Sequence, residues 1–179
     1  MAEASPRPGI LLTPEEIARR VESLAGRLAP QLADGAVAVC LLIGGLWFAA
    51  DLTRALARAG RDLAFDGLWL TSYGDGDASA GRCEVRAGPQ RSLVDRHVLI
   101  IDDVVDTGLS LAEASRLLKA AGAARVTTAV FARKPWPNRL LEPDYVAWEA
   151  PSRFLVGYGM DLAGGLRGLP YIGAMETEA

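Results

Sequence analysis

Residues Val98 to Ser110 constrain this chain more than any other stretch. Val98-Leu99-Ile100-Ile101 is an unbroken aliphatic run. Such a run, bounded by turn formers, predicts a strand buried on both faces of a parallel sheet. Two adjacent carboxylates, Asp102 and Asp103, follow it, and Asp106-Thr107-Gly108 then turns into a helical pattern from Leu109. A strand over Val98–Ile101 places these acids at its carboxyl end, where open α/β sheets bind ligands. Thr107, Gly108 and Ser110 lie where hydroxyls and backbone N–H groups at a helix start can hold a phosphate. Acids beside a phosphate site are compatible only if the acids grip sugar hydroxyls and a metal while the loop holds the phosphate. Without a ligand, three acids at one strand end would repel one another.

The rest of the chain supplies an α/β frame for that stretch. Thr13-Pro14-Glu15-Glu16 signals a helix start, with Thr13 as cap and Glu16 completing a capping box. Ile17, Val21, Leu24 and Leu28 continue it at helical spacing. Val37–Ile43 reads as a buried strand, broken by Gly44-Gly45, and Leu46 to Arg58 as an amphipathic helix. A second strand falls within Asp62–Thr71. Ser72 to Arg86 is rich in Gly, Asp and Ser and reads as a mobile loop or loose hairpin. The helix Leu109–Ala121 is closed by Gly122. Further strands are predicted at Val126–Phe131, Tyr145–Trp148 and Phe154–Val156, with a Pro-rich loop over Lys134–Pro143. Strands alternating with helices imply a parallel α/β sheet. A length of 179 residues fits one domain over residues 9–179, preceded by a loose tail over residues 1–8.

Composition narrows the function classes. A net charge of −3 argues against nucleic-acid binding through a bulk basic surface. Cys40 lies in an apolar run and Cys83 in a polar loop, which suggests free thiols and a reducing compartment. His97 is the only histidine, and with two scattered cysteines a zinc site is not expected. His97 itself reads as structural or exposed. No signal peptide or apolar run of spanning length is visible, so a cytoplasmic protein that enters no membrane is expected. The tryptophans read as core or interface residues, with Trp136, between two prolines beside Lys134, also placed to wall a site.

The segment Asp102-Asp103-Val104-Val105-Asp106-Thr107-Gly108 resembles the phosphoribosyl pyrophosphate motif of type I phosphoribosyltransferases. Thr71-Ser72-Tyr73-Gly74 is similar to the closing loop of the hypoxanthine-guanine branch. Pro143-Asp144-Tyr145-Val146 and Arg153-Phe154-Leu155-Val156-Gly157-Tyr158-Gly159-Met160-Asp161 are similar to its purine-binding end. Arg167 and Leu169-Pro170-Tyr171-Ile172-Gly173 match its last segment. The resemblance implies the type I phosphoribosyltransferase fold, a parallel sheet with a small C-terminal hood region. It implies transfer of a phosphoribosyl group to hypoxanthine or guanine, with Mg²⁺ as cofactor and a homodimer or homotetramer as the assembly.

Roles follow from the same resemblance. Asp102 and Asp103 would hold the ribose hydroxyls, directly or through the metal. Asp106 would be the acid/base group near N7 of the purine. The backbone of Asp106, Thr107, Gly108, Leu109 and Ser110, with its neighbour Val105 and the Thr107 and Ser110 hydroxyls, would hold the 5′-phosphate. Gly44 and Arg167 would meet the pyrophosphate, and Ser72 and Tyr73 would close over the site. Lys134 would donate to the purine O6, Phe154 would stack on the base and the Leu155 backbone would meet its edge. Asp161 would lie at the purine end and bind a second Mg²⁺.

Three positions depart from the family's pattern. Asp102 stands where Glu is usual, Ile43 where Lys or Arg is usual, and Leu162-Ala163-Gly164 where Tyr-Asn-Glu is common. The loss of charge at Ile43 implies weaker pyrophosphate binding or a changed subunit contact. Two rival readings keep the fold: a xanthine-preferring enzyme, and a non-catalytic regulator that senses nucleotides or binds RNA. The acidic balance and the retained Asp106 speak against the regulator.

Overall fold

The computed structural model describes residues 8–72 and 83–175. The expected N-terminal tail, apart from Pro8, and Tyr73 with the rest of the expected closing loop to residue 82 lie outside the described residues.

A six-stranded sheet forms the centre. Its strands are β2 (Val37–Leu42), β3 (Ala64–Ser72), β4 (Cys83–Ala87), β5 (His97–Val105), β6 (Arg125–Arg133) and β7 (Tyr145–Glu149), in the order β4-β3-β2-β5-β6-β7. All neighbours are parallel except β4, which returns antiparallel on β3. The helices are α1 (Pro14–Leu28), α2 (Leu46–Arg58) and α3 (Leu109–Ala120). The Thr13 hydroxyl accepts from the Glu16 N–H, and the Glu16 carboxylate accepts from the Thr13 N–H at 2.8 Å, so the predicted capping box forms.

The central strands are apolar on both faces because both faces are covered. Ala38, Cys40, Leu99, Ile101 and Phe131 pack with Phe48 and Leu52 of α2 and Leu24 of α1. The alternate residues Val39, Val98, Ile100 and Val130 pack with Leu111, Ala114 and Leu118 of α3. Phe131 sits edge-on to Phe48 at 5.4 Å and to Tyr158 at 5.1 Å, joining sheet, helix and C-terminal segment. His97 is buried. Its Nδ1 accepts from the Ala33 N–H at 3.2 Å, which leaves Nε2 to donate to Thr127 Oγ1 at 2.8 Å. It is structural, as expected.

Several boundaries need correction. β5 does not stop at Ile101 but continues through both carboxylates to Val105, because β6 pairs with it as far as Arg133. An apolar run ends at the first charge, whereas a ladder ends where its neighbour ends. For Ser72–Arg86 the hairpin alternative holds over the described residues: β4 returns antiparallel on β3, which makes Cys83 a strand residue and not a loop one. A second sheet, with no periodic signal in its short strands, joins β1 (Gly9–Leu12), β8 (Leu155–Val156) and β9 (Ile172–Ala174) in the antiparallel order β1-β9-β8. The expected C-terminal hood region is present, and β1 joins it as a third strand.

Candidate active site

The site begins with the carboxylates carried past the core by β5. Asp103 is buried and Asp102 partly so. Asp102 Oδ1 accepts from the Asp103 N–H at 3.0 Å, and Asp103 Oδ1 accepts from the Val104 N–H at 2.8 Å. Burial pushes the Asp102 carboxyl well above its ordinary range, and the adjacent Asp103 charge adds to this. Burial also raises Asp103, partly offset by hydrogen bonding to Asp102 and the Val104 N–H and by the Arg167 charge. Two such groups side by side favour a cation or a hydroxyl-rich ligand. The approach of Gly44 completes this corner: a Cβ there would lie 2.2 Å from Asp103 Oδ2. Gly44 follows the Leu42–Ile43 peptide, which is cis.

Past Val105 the chain turns at Gly108, which has φ +77 and precedes α3 without a side-chain cap. The Thr107 hydroxyl accepts from the Leu109 N–H at 3.3 Å. The N–H groups of Thr107, Gly108 and Ser110 have no acceptor among the described residues. Unpaired N–H groups at a helix N-terminus suit an anion.

Asp106 lies between this turn and the end of β6. Its Oδ2 accepts from Lys134 Nζ at 3.2 Å, and its Oδ1 is buried without a donor. Asp106 and Lys134 line a cavity of about 250 Å³ with Pro135, Trp136, Ser152, Arg153 and Phe154. The strand end thus brings together an acid, a cation and an aromatic ring that are far apart in sequence.

Arg139, which sequence reasoning missed, holds that arrangement. It is only 4% exposed in its side chain. Its Nε donates to the Asp106 carbonyl at 2.8 Å, Nη2 to the Lys134 carbonyl, and Nη1 to Glu142 Oε1 at 2.8 Å. The Leu140 N–H donates to the Thr107 carbonyl at 2.9 Å and the Lys134 N–H to Val105 at 3.1 Å. A lone arginine in a Pro-rich loop carries no periodic signal, so nothing local in the sequence marks it.

The hood closes the other side. Gly159 has φ +103, and a Cβ there would lie 2.1 Å from the Gly44 carbonyl oxygen. Only glycine allows that approach. Arg167 Nη1 donates to the Gly159 carbonyl at 2.6 Å, and Nη2 pairs with Asp161 Oδ1 at 2.7 Å. Asp161 Oδ2 also accepts from the Gly164 N–H at 2.7 Å.

Comparison with known proteins agrees with this geometry. The family model for the phosphoribosyl transferase domain matches residues 11–161. The chain belongs to that family. It is 32% identical over 169 residues to a hypoxanthine-guanine phosphoribosyltransferase of Bacillus subtilis, covering 93% of this chain and 92% of that protein. It is 31% identical to the Dictyostelium discoideum enzyme of the same name, covering 94% and 96%. Among solved structures, a hypoxanthine phosphoribosyl transferase of Trypanosoma cruzi superposes with a TM-score of 0.87 at 29% identity, covering 97% of this chain and 94% of that one. One from Staphylococcus aureus gives 0.85 at 30% identity, covering 93% and 90%.

Within this family fold, the predicted residues other than the α3 start, Thr107 to Ser110, fall mainly into two groups. Asp106, Lys134 and Phe154 share the cavity, while Asp102, Asp103, Gly44, Arg167 and Asp161 gather between β5 and the hood. The Leu155 side chain is buried in the small sheet, opposite Ala174, which leaves only its backbone to face the base. Tyr73 and the Ser72 side chain lie outside the described residues. Asp144, in the segment expected at the purine end, latches β7 to β6 by accepting from Thr128 N–H and Oγ1 at 2.8 and 2.9 Å. Among the described residues, no three His, Cys, Asp or Glu side chains form a metal cluster. No helix among them is long and apolar enough to cross a membrane.

Proposed function

We infer that this protein is a purine salvage phosphoribosyltransferase. It converts hypoxanthine or guanine and phosphoribosyl pyrophosphate into IMP or GMP and pyrophosphate. The observation that carries the reading is Asp106 itself. One of its oxygens is held by Lys134, and the other is buried with no donor, at the entrance to an anion-binding helix start.

The residues then divide the work. The unpartnered oxygen of Asp106 is the acceptor for the proton on purine N7, released as another ring nitrogen of the base attacks the sugar C1. Lys134 donates to the purine O6. That donor favours 6-oxopurines over adenine, whose 6-amino group is also a donor. The N–H groups and hydroxyls of Thr107 to Ser110 hold the 5′-phosphate. Phe154 stacks on the base, with the Leu155 backbone at its edge. Arg167 and the Gly44 backbone face the pyrophosphate, and Ser72 and Tyr73 belong to the segment that closes over it. Asp102 and Asp103 offer two adjacent oxygen donors. That set suits Mg²⁺, which keeps waters and shares substrate phosphates rather than filling its shell with protein. When bound there, Mg²⁺ offsets the charge of the departing pyrophosphate. Asp161, whose oxygens already accept from Arg167 and Gly164, would meet a second ion through water.

Self-association into a homodimer or homotetramer would use the start of α2, where Ile43 and Leu46 expose apolar side chains. Sedimentation of the wild type against Leu46→Glu tests it, with dissociation expected.

Pyrophosphate release with Mg²⁺, the donor, and each of hypoxanthine, guanine, xanthine, adenine and uracil tests the reaction. Release with the first two is expected. Release with xanthine alone would reassign the acceptor, and release with none would reject the enzyme reading.

A further inference from the structure

We propose that Trp136 is a second aromatic surface of the base cavity, contacting a bound 6-oxopurine in addition to Phe154. The proposal rests on the assignment of that cavity to the purine. Its evidence is the unusual position of the indole. Trp136 is 49% exposed although tryptophan is among the side chains that gain most from burial. The other tryptophans have partners: Trp47 and Trp148 pack on the main core, and Trp69 lies under the Arg86 guanidinium, 5.8 Å from its ring centre. Trp136 has no aromatic or cationic ring partner among the described residues. What it does have is a place in the wall of the 250 Å³ cavity that holds Asp106, Lys134 and Phe154.

The loop carrying it is built to keep it there. Pro135 and Pro137 fix φ on both sides. Arg139 ties the Lys134 carbonyl to the Asp106 carbonyl, and the Leu140 N–H ties the loop to Thr107. Trp136 is therefore held in register with the acid and the cation. Phe154, 44% exposed, reaches the same cavity from the segment just before β8. Two exposed aromatic rings, a cation and an acceptor lining one cavity match a flat heteroaromatic ring with an oxo group on its edge.

The two kinds of contact have different consequences. Stacking senses the face of a ring and not its edge, so Trp136 supplies affinity for hypoxanthine and guanine alike. Lys134 reads the edge. A face contact made equally in ground and transition states acts on KM for the base rather than on kcat.

The test is calorimetric titration of the whole protein with GMP and, separately, with phosphoribosyl pyrophosphate, for wild type, Trp136→Ala and Trp136→Phe, with tryptophan fluorescence followed in the GMP titrations. Trp136→Ala is expected to weaken GMP binding by about tenfold and to leave phosphoribosyl pyrophosphate binding unchanged. Trp136→Phe should recover most of the GMP affinity while losing most of the GMP-induced fluorescence change. Wild-type GMP affinity in Trp136→Ala, an undiminished fluorescence change in Trp136→Phe, or equal weakening of both ligands would overturn the proposal. If GMP binds to none of the proteins while phosphoribosyl pyrophosphate still does, the purine assignment of the cavity fails, and the proposal fails with it.

Discussion

Lys134 Nζ lies 3.2 Å from Asp106 Oδ2, although the two residues are 28 positions apart. The cation thus orients the acid while facing the cavity a base would fill. Replacing Lys134 with Gln keeps a donor but removes the charge. The expected result is a lower kcat/KM for hypoxanthine by about tenfold to hundredfold, with a narrower gap between hypoxanthine and adenine. Steady-state kinetics with both bases checks it; an undiminished preference for the oxopurine would remove Lys134 from O6 recognition.

Arg139 should affect both substrates without touching either. Its guanidinium bonds the carbonyls of Asp106 and Lys134 from a buried position. Arg139→Ala leaves those two carbonyls unpaired, a cost of about 1–3 kcal/mol, while Glu142 keeps its pair with Arg133. The melting temperature should fall, and KM for the base and for the sugar donor should rise together. Arg139→Lys should recover part of the stability and little of the KM, since one ammonium cannot reproduce a planar fork.

Gly159→Ala tests the contact between the hood and Gly44. The new methyl would meet the Gly44 carbonyl oxygen at 2.1 Å. Residues forced into such backbone regions cost about 1–3 kcal/mol. Urea denaturation should show that loss, and KM for phosphoribosyl pyrophosphate should rise more than KM for the base.

His97 gives a pH signature in stability alone. Burial, helped by the nearby Arg125 charge, holds its pKa below the ordinary 6.5. The unfolded chain therefore binds the proton first as pH falls. The contribution is fully present above about pH 6.5 and is lost as pH drops below it. Thermal midpoints measured between pH 7.5 and 5.5 should decline on the acid side, and His97→Gln should flatten that decline.

The elements with strong periodicity were legible in the sequence. α2 begins and ends at Leu46 and Arg58 as its pattern predicts, and Thr13 and Glu16 cap α1 as their spacing requires. The turn from β5 into α3 was legible because its acids interrupt a buried strand. The hood was not. β1 and β9 are four and three residues long, too short for a period, and they pair across nearly the whole chain. Arg139 was hidden for a related reason: its role depends on two carbonyls, and carbonyls leave no trace in residue identity. Lys134 and Phe154 entered through family resemblance, since a lysine after a strand and an aromatic before one are ordinary by themselves.

The central claim is that the unpartnered oxygen of Asp106 takes the proton from the purine. Single-turnover formation of IMP from hypoxanthine by Asp106→Asn tests it most directly, alongside GMP binding to the same variant. Asn keeps the shape and removes the base. The account predicts GMP binding close to wild type and a transfer rate lower by about 10²–10⁴-fold. A transfer rate equal to wild type would contradict it.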